Sequence, residues 1–359
     1  MPEFVALMAM LSATIAFSID AMLPALPEIG RELSPGAPNA AQLVIVAFVF
    51  GMGLGTLFAG PLSDALGRKW VMIGGAVVYS IAAALATIAP SLEMLLAVRV
   101  LQGLGASGPR VAAQAMVRDL YAGRGMARVA SFIMMTFTLV PAIAPLIGAF
   151  IIAGFGWRGV FWAFVVFATI SGLWLLIRQP ETLPVGLRRP LRIAQLRAAV
   201  VEVFVHRNVR RAIIMQTLVF GILFATIISI QPIYEFTFGR ADTFPIWFGL
   251  VALLSGGASF LNASLVGRLG MPYLVRLALA SHLVLSLVLA AGWATGLTPE
   301  GWRFGLFVVW QVGVFAMAGL TIGNLNAIAM QPMGHIAGMA SSVISAVSTI
   351  VAVFVAAPI

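Results

Sequence analysis

The feature that most constrains this chain is a series of long apolar runs, each about as long as a membrane is thick. A helix that crosses about 30 Å of hydrocarbon needs around 20 predominantly apolar residues. The runs that meet this length lie near residues 4–27, 40–62, 71–90, 92–115, 129–153, 157–177, 212–235, 244–266, 271–296, 302–328 and 336–358. These eleven runs predict an all-α integral membrane protein.

The composition agrees with this class. Apolar residues make up 61% of the 359 positions and charged residues only 9%, whereas a soluble domain carries roughly 25% charged residues. The sequence contains no cysteine, so a disulfide framework and a thiolate metal site are excluded. Its three histidines are scattered without metal-ligand spacing. We therefore expect no metal and no cofactor.

Basic residues are distributed unevenly between the loops. If the first run starts in the cytoplasm, fifteen of them fall in cytoplasmic loops: Arg68, Lys69, Arg118, Arg124, Arg128, Arg178, Arg188, Arg189, Arg192, Arg197, Arg207, Arg210, Arg211, Arg268 and Arg276. Four lie in the opposite loops: Arg31, Arg158, Arg240 and Arg303. Because loop arginine and lysine accumulate on the cytoplasmic side, the sequence predicts a cytoplasmic N-terminus. The net charge of +9 then reflects topology, and no nucleic-acid partner is expected.

The longest connection between runs is polar and rich in arginine. It predicts an N-terminal six-helix bundle at 1–178, a cytoplasmic basic linker at 179–211 and a C-terminal bundle at 212–359. A short repeat supports duplication, because Leu62–Gly67 and Leu265–Gly270 follow the second and eighth runs with related sequences. Duplicated bundles are common in secondary transporters. Since the second half holds five runs, we expect its last helix to be missing from this chain.

Four motifs lie in register with the runs. They are Asp20–Pro27 in the first run, Gly60–Lys69 after the second, Arg99–Ala106 in the fourth and Pro141–Gly148 in the fifth. The second and third resemble signatures of the Major Facilitator Superfamily, and the fourth resembles the helix 5 motif of drug:proton antiporters. The first is similar to the helix 1 signature of the Bcr/CflA branch, named for bicyclomycin and chloramphenicol/florfenicol resistance. In that signature Ala21 and Met22 replace the usual Met-Tyr.

The resemblance implies a major facilitator fold of two pseudo-symmetric six-helix bundles. It also implies a monomeric, multi-pass protein of the bacterial inner membrane that exports small drug-like molecules in exchange for protons by alternating access. One alternative is an exporter or proton symporter of a metabolite such as a sugar or amino acid. Another is a non-transporting membrane sensor or scaffold. An enzyme is not expected, because the sequence has no nucleophile–base pair, metal cluster or P-loop.

Asp20 is the predicted proton-coupling residue. A carboxylate within an apolar run costs several kcal/mol unless it is paired, hydrated or protonated. A carboxyl group that alternates between wet and cationic surroundings binds and releases a proton as those surroundings change. The alternative is a static acid that pairs with an arginine for packing.

Arg99 and Arg110 lie eleven residues apart in the fourth run, which is about three helical turns. With Gln102 they form a polar face on an apolar helix, which is typical of a helix that lines a cavity. We expect Arg99 to pair with Asp20 or with an anion of the substrate. Arg110 has the alternative of extending to the lipid headgroups.

Other candidate groups come from both halves. The predicted cavity and substrate residues of the second half are Gln231, Tyr234, Glu235, Asn324 and Asn326, some of which serve helix contacts instead. The predicted gating loop contains Gly60, Asp64, Gly67, Arg68 and Lys69. We expect Asp64 to face a helix N-terminus near Gly334–His335, as an inner latch.

Two helix-packing motifs complete the prediction. Pro141 and Pro145 should interrupt the fifth helix, and Gly148 belongs to the same antiporter motif. The G-x-G-x-x-G pattern at 103–108 lies inside a membrane run, so it indicates close helix packing and not a dinucleotide site. Gly51 and Gly55 repeat the small-residue spacing in the second run.

Overall fold

The computed structural model describes residues 2–357, excepting the side chains of 123, 124, 127, 128, 130, 131, 134, 137 and 138. The helices in chain order are α1 (Pro2–Asp20), α2 (Leu26–Leu33), α3 (Leu43–Leu66), α4 (Arg68–Ala86), α5 (Leu92–Leu120), α6 (Gly123–Arg178), α7 (Ile193–Val205), α8 (Arg207–Pro232), α9 (Phe244–Leu269), α10 (Met271–Ala294), α11 (Glu300–Met330) and α12 (Ala337–Ala356). The described residues contain no β-strand, so the all-α prediction is confirmed. Residues 358 and 359, which end the predicted C-terminal bundle, lie outside this description.

Within the residues that the structure describes, each of the eleven predicted runs lies mainly on a helical segment. By length and hydropathy alone, eight segments of the described residues are suited to cross a membrane. Two of these, Leu139–Arg178 and Glu300–Ala356, each cover parts of two predicted runs. Helix α5, which contains the predicted run at 92–115 together with Arg99 and Arg110, is not one of these eight segments. Helix α7 lies in the predicted linker, where the sequence analysis assigned no helix.

The turn between the fifth and sixth runs lies at a glycine. Helix α6 includes Pro141 and Pro145 and leaves helical geometry only at Gly156, where φ is 65°. The prediction that the prolines interrupt this helix is therefore wrong. Proline's fixed φ of about −65° is helical, and the lost donor is tolerated within a membrane helix. Gly156 reverses the chain because the positive φ carries no steric cost for glycine.

Close contact between α3 and α5 holds the first half of the chain together. A Cβ atom added at Gly103 would overlap the carbonyl oxygen of Phe48, and one added at Gly51 would overlap that of Val100. On another face of α5, a Cβ at Gly105 would lie 2.5 Å from the backbone nitrogen of Tyr79 in α4. The glycine pattern thus serves helix packing, as predicted.

Two helix pairs join the parts of the chain before and after the linker. Helix α3 packs against α12, where the rings of Phe50 and Phe354 lie 5.6 Å apart. Helix α6 packs against α9, where a Cβ at Gly249 would lie 2.5 Å from the carbonyl oxygen of Ala142. These pairs run through the membrane part of the molecule, so any relative motion of the two halves must change them.

Polar contacts mark the two ends of the helical assembly. At one end, which we call the basic end, Arg68 binds Asp119, and the backbone nitrogen of Lys69 donates to Glu181. At the opposite end, Arg158 lies 2.7 Å from Glu32 and ties the turn of α6 to α2.

We predict that Gly103→Ala destabilises the protein by about 1–3 kcal/mol or more, because the added methyl group has no space against the α3 backbone. Gly74→Ala is the matched control, since nothing lies within 4 Å of a Cβ at that position. It should leave stability unchanged or raise it slightly. Thermal unfolding in detergent measures both. Equal midpoints for the two variants would contradict the proposed close contact.

Candidate functional site

Asp20 lies at a break in the first membrane crossing. It is the last residue of α1, and a 3-10 turn at Leu23–Ala25 separates α1 from α2. Pro24 and Pro27 follow the break and begin these two elements. Asp20 is only 5% exposed, and no hydrogen bond or ion pair from the side chains that the structure describes reaches its carboxylate. A buried acid without a partner inside a membrane helix is a strong candidate for function.

The antiporter motif contacts this break directly. A Cβ atom added at Gly148 would overlap the backbone of Ala21, which follows Asp20 in sequence. Pro141, Pro145 and Gly148 recur at the spacing of one helix face, so this face of α6 lies towards the break. The structure therefore brings Asp20 and the motif of the fifth run together.

Arg99 is a clamp between three helices. Its side chain is fully buried, and its Nε donates to the carbonyl oxygen of Val44 in α3 at 3.1 Å. Its Nη2 donates to the carbonyl oxygen of Ser18 in α1 at 3.1 Å, and its Nη1 donates to Gln102 Oε1 at 2.7 Å. The guanidinium also lies 4.4 Å from the centre of the Phe48 ring.

The expected Arg99–Asp20 pair is absent from the described contacts. The physical reason is that backbone carbonyls of α1 and α3 already occupy the Arg99 donors. The neighbouring Ser18 side chain is also held, since its Oγ lies 2.5 Å from Tyr79 Oη. Sequence reasoning missed Tyr79 and Ser18, because neither lies in a motif.

Arg110 behaves differently, although it shares a helix face with Arg99. It is half-buried, and its Nη1 lies 3.8 Å from the Sδ of Met52 in α3. Met52 lies deeper in the membrane than Arg110, because its backbone meets α5 at the level of Gly103. The side chain thus points away from the basic end, and the alternative of headgroup contact is not what this structure shows.

The candidate groups on α8 come together where it passes into a π-helical turn at Ile233–Thr237. Gln231 Nε2 donates to Glu235 Oε2 at 2.9 Å. Tyr234 is fully buried, and its hydroxyl donates to Gln311 Oε1 at 3.0 Å. Rings that surround Tyr234 belong to Phe244, Phe304 and Phe307. Gln311 was missed, although a glutamine within an apolar run is itself a signal.

The two asparagines of α11 differ in their contacts. Asn324 Nδ2 donates to Asn262 Oδ1 in α9 at 2.7 Å, so it holds two helices together, as the alternative interpretation stated. Asn326 Oδ1 is buried and has no hydrogen-bond partner in the part of the chain that the structure describes. No group of three or more His, Asp or Glu side chains among residues 2–357 is placed to hold a metal ion.

The predicted gating loop is bound to α5 in the first half of the chain and to the start of the linker. Arg68 binds the Asp64 carboxylate, and its Nε donates to Asp119 Oδ2 at 3.2 Å. Backbone nitrogens of Arg68 and Lys69 donate to the Glu181 carboxylate at 3.0 and 3.2 Å, which caps the start of α4. Sequence reasoning missed Asp119 and Glu181 because they are distant in sequence from the loop.

The contact between this loop and α12 uses Gly60 and not Asp64. Helix α12 begins at Ala337, close to the predicted start. Among the described contacts, Asp64 is held by Arg68, whereas a Cβ at Gly60 would lie 2.6 Å from Ser342 Oγ. The direct latch between Asp64 and the helix start is therefore not seen here, and a gating role for the loop stays a prediction.

We predict that Arg99→Gln lowers the free energy of unfolding by about 3 kcal/mol or more, because buried carbonyl acceptors lose their donors. Asp20→Asn should change it by no more than about 1 kcal/mol, since the carboxylate loses no described partner. Thermal unfolding of the purified variants compares the two. A stable Arg99→Gln variant would show that the clamp is dispensable.

Proteins with similar sequences include two that are named for antibiotic resistance, which agrees with the family that the motifs resemble. The bicyclomycin resistance protein homolog of Haemophilus influenzae is 29% identical over 346 residues, which cover 96% of this chain and 85% of that protein. A chloramphenicol resistance protein of Pseudomonas aeruginosa is 38% identical over 147 residues, 41% of this chain and 35% of that protein.

The fold has a close structural counterpart. The crystal structure of a D-xylose-proton symporter superposes with a TM-score of 0.74 at 13% identity and covers 98% of this chain and 88% of its own. The model of the Major Facilitator Superfamily matches residues 6–356. This chain belongs to the Major Facilitator Superfamily.

Proposed function

We propose that this protein exports small drug-like molecules across the bacterial inner membrane in exchange for protons. The relatives named for bicyclomycin and chloramphenicol resistance support drug efflux, and with it a role in antibiotic resistance. Membership of a transporter superfamily argues against an enzyme. The observation that carries proton coupling is the buried Asp20 carboxylate without a described partner at the break in the first crossing.

Asp20 is suited to couple its proton to movement because of what surrounds it. An isolated charge is far more costly to bury than a neutral acid. A movement that admits water to the break therefore changes the proton occupancy of this carboxyl group. Gly148 places α6 against the same break, so α6 and the end of α1 together form the surroundings of Asp20.

Alternating access would come from rocking of the two halves, 1–178 and 212–359, as units. The α3–α12 and α6–α9 contacts lie between them. The gating loop, tied by Arg68 and Glu181 to α5 and the linker, would move with the first half. The basic end would face the cytoplasm, as the distribution of arginine favours, and the N-terminus would lie there too. A single chain is sufficient for this mechanism.

Proton-coupled export predicts drug-driven proton release from acidified inside-out vesicles that contain this protein. Addition of chloramphenicol or bicyclomycin should collapse the pH gradient, and Asp20→Asn should abolish the response. Asp242→Asn is the matched control, because this exposed aspartate lies in the turn before α9. A fluorescent pH probe inside the vesicles follows the gradient.

Each other outcome has a definite meaning. Drug-driven release that survives in Asp20→Asn would move proton coupling to another residue. No response to either drug, with folded protein confirmed, would favour transport of a metabolite instead.

The contact at the basic end offers a test of alternating access. A Cβ at Gly60 would lie 3.8 Å from Ser342 Cβ, a separation suited to a disulfide, and the chain has no other cysteine. Gly60→Cys combined with Ser342→Cys should form a bond on oxidation and stop transport, because the halves are locked at this end. Reduction should restore transport. Either single variant is the control, and full transport by the oxidised, crosslinked protein would contradict rocking at this joint.

A further inference from the structure

Arg110 is a cation inside the membrane part of the molecule without an acid to balance it. All twelve acidic residues of the chain belong to the described part. The ion pairs formed there join Asp64 and Asp119 to Arg68, and the remaining ones are Glu32–Arg158, Glu3–Arg178 and Glu202–His335. None of them includes Arg110. Its described contact is the thioether of Met52 at 3.8 Å, and a thioether is a weak acceptor.

Comparison with Arg99 shows that Arg110 is not a second structural clamp. Both arginines lie on α5 and point to the same face. Arg99 is fully buried and its guanidinium donates to two backbone carbonyls and to Gln102. Arg110 donates to no backbone carbonyl that the structure describes, and the residue is partly buried. Its guanidinium therefore has donors left for another group.

The guanidinium also points towards the middle of the membrane. Gly103 and Met52 lie at the same level of the α3–α5 contact, and Gly103 precedes Arg110 by seven residues, about 10 Å along a helix. Contact with Met52 thus carries the charge inward from the Arg110 backbone. An unpaired charge at that depth is costly, and a flexible methionine beside it gives an adaptable apolar neighbour.

We propose that Arg110 binds an acidic group on the transported molecule. This inference rests on the proposed drug export and adds to its substrates a class of molecules that combine an apolar body with a carboxylate or a similar anion. The planar guanidinium matches a carboxylate with two parallel hydrogen bonds, which lysine does not reproduce. An anion at this position would balance the interior charge that the chain leaves unbalanced.

The test uses chloramphenicol and its hemisuccinate ester, which share one body and differ by a carboxylate-bearing tail. Binding of each to the full chain in neutral detergent is measured by titration calorimetry. Arg110→Gln should weaken binding of the hemisuccinate at least about tenfold, the loss typical of a charge-assisted hydrogen bond. Binding of chloramphenicol should change less than about twofold, because it lacks the carboxylate.

Two further variants make the test specific. Arg118→Gln removes an exposed charge from the same helix and should bind both compounds like the wild type. Arg110→Lys keeps the charge without the paired donors and should weaken hemisuccinate binding severalfold. If Arg110→Gln does not give a monodisperse protein, the Arg110→Lys variant tests the proposal in its place.

Three results would overturn the inference. The first is a hemisuccinate affinity in the Arg110 variants equal to that of the wild type, and the second is no hemisuccinate binding by folded wild type. The third is displacement of the hemisuccinate by phosphatidylglycerol, which would assign the site to a lipid headgroup. The export proposal is judged separately, by proton release on addition of neutral chloramphenicol, so the two failures are distinguishable.

Discussion

The bonds from Arg99 to the backbone of α1 and α3 are the contact on which the candidate site depends. A guanidinium within the membrane must find acceptors inside the protein, and here two of them are main-chain carbonyls of Ser18 and Val44. The Ser18 bond lies two residues before Asp20. The end of α1 is thus fixed to α5, and the helix is interrupted directly after Asp20. Arg99 therefore helps to position Asp20 without forming an ion pair with its carboxylate.

The close approach of α3 and α5 makes that clamp possible. Glycines at 51 and 103 let the two backbones touch, which brings the Val44 carbonyl within reach of Arg99. The opposite face of α3 is then free to pack against α12 in the second half. One helix, α3, consequently carries the clamp contact, the start of the gating loop at its end and one of the contacts between the two halves.

The sequence predicted well those features that depend on composition and local spacing. Each of the eleven runs lies mainly on a helix within the described residues, and the glycine motifs pack helices as expected. It failed where the partner is the backbone, because a main-chain carbonyl carries no sequence signal. Arg99 was therefore expected to pair with Asp20 or with an anion of the substrate, and not with carbonyl groups. It also failed where partners are distant, as for Glu181 at the start of α4. The turn at Gly156 falls between the predicted fifth and sixth runs, whereas the interruption expected at Pro141 and Pro145 is absent, because the φ angle of proline is compatible with a helix.

The three interior charges of the first half have different relations to their surroundings. Arg99 has a full set of acceptors and so contributes to the fold. Asp20 and Arg110 have no charged partner among the described contacts, and each is costly as it stands. A membrane protein tolerates the free-energy cost of an unpaired interior charge when a ligand neutralises that charge during the transport cycle. Asp20 would bind a proton and Arg110 would bind an anion. The helices of the first half would then bind both ions without direct contact between Asp20 and Arg110.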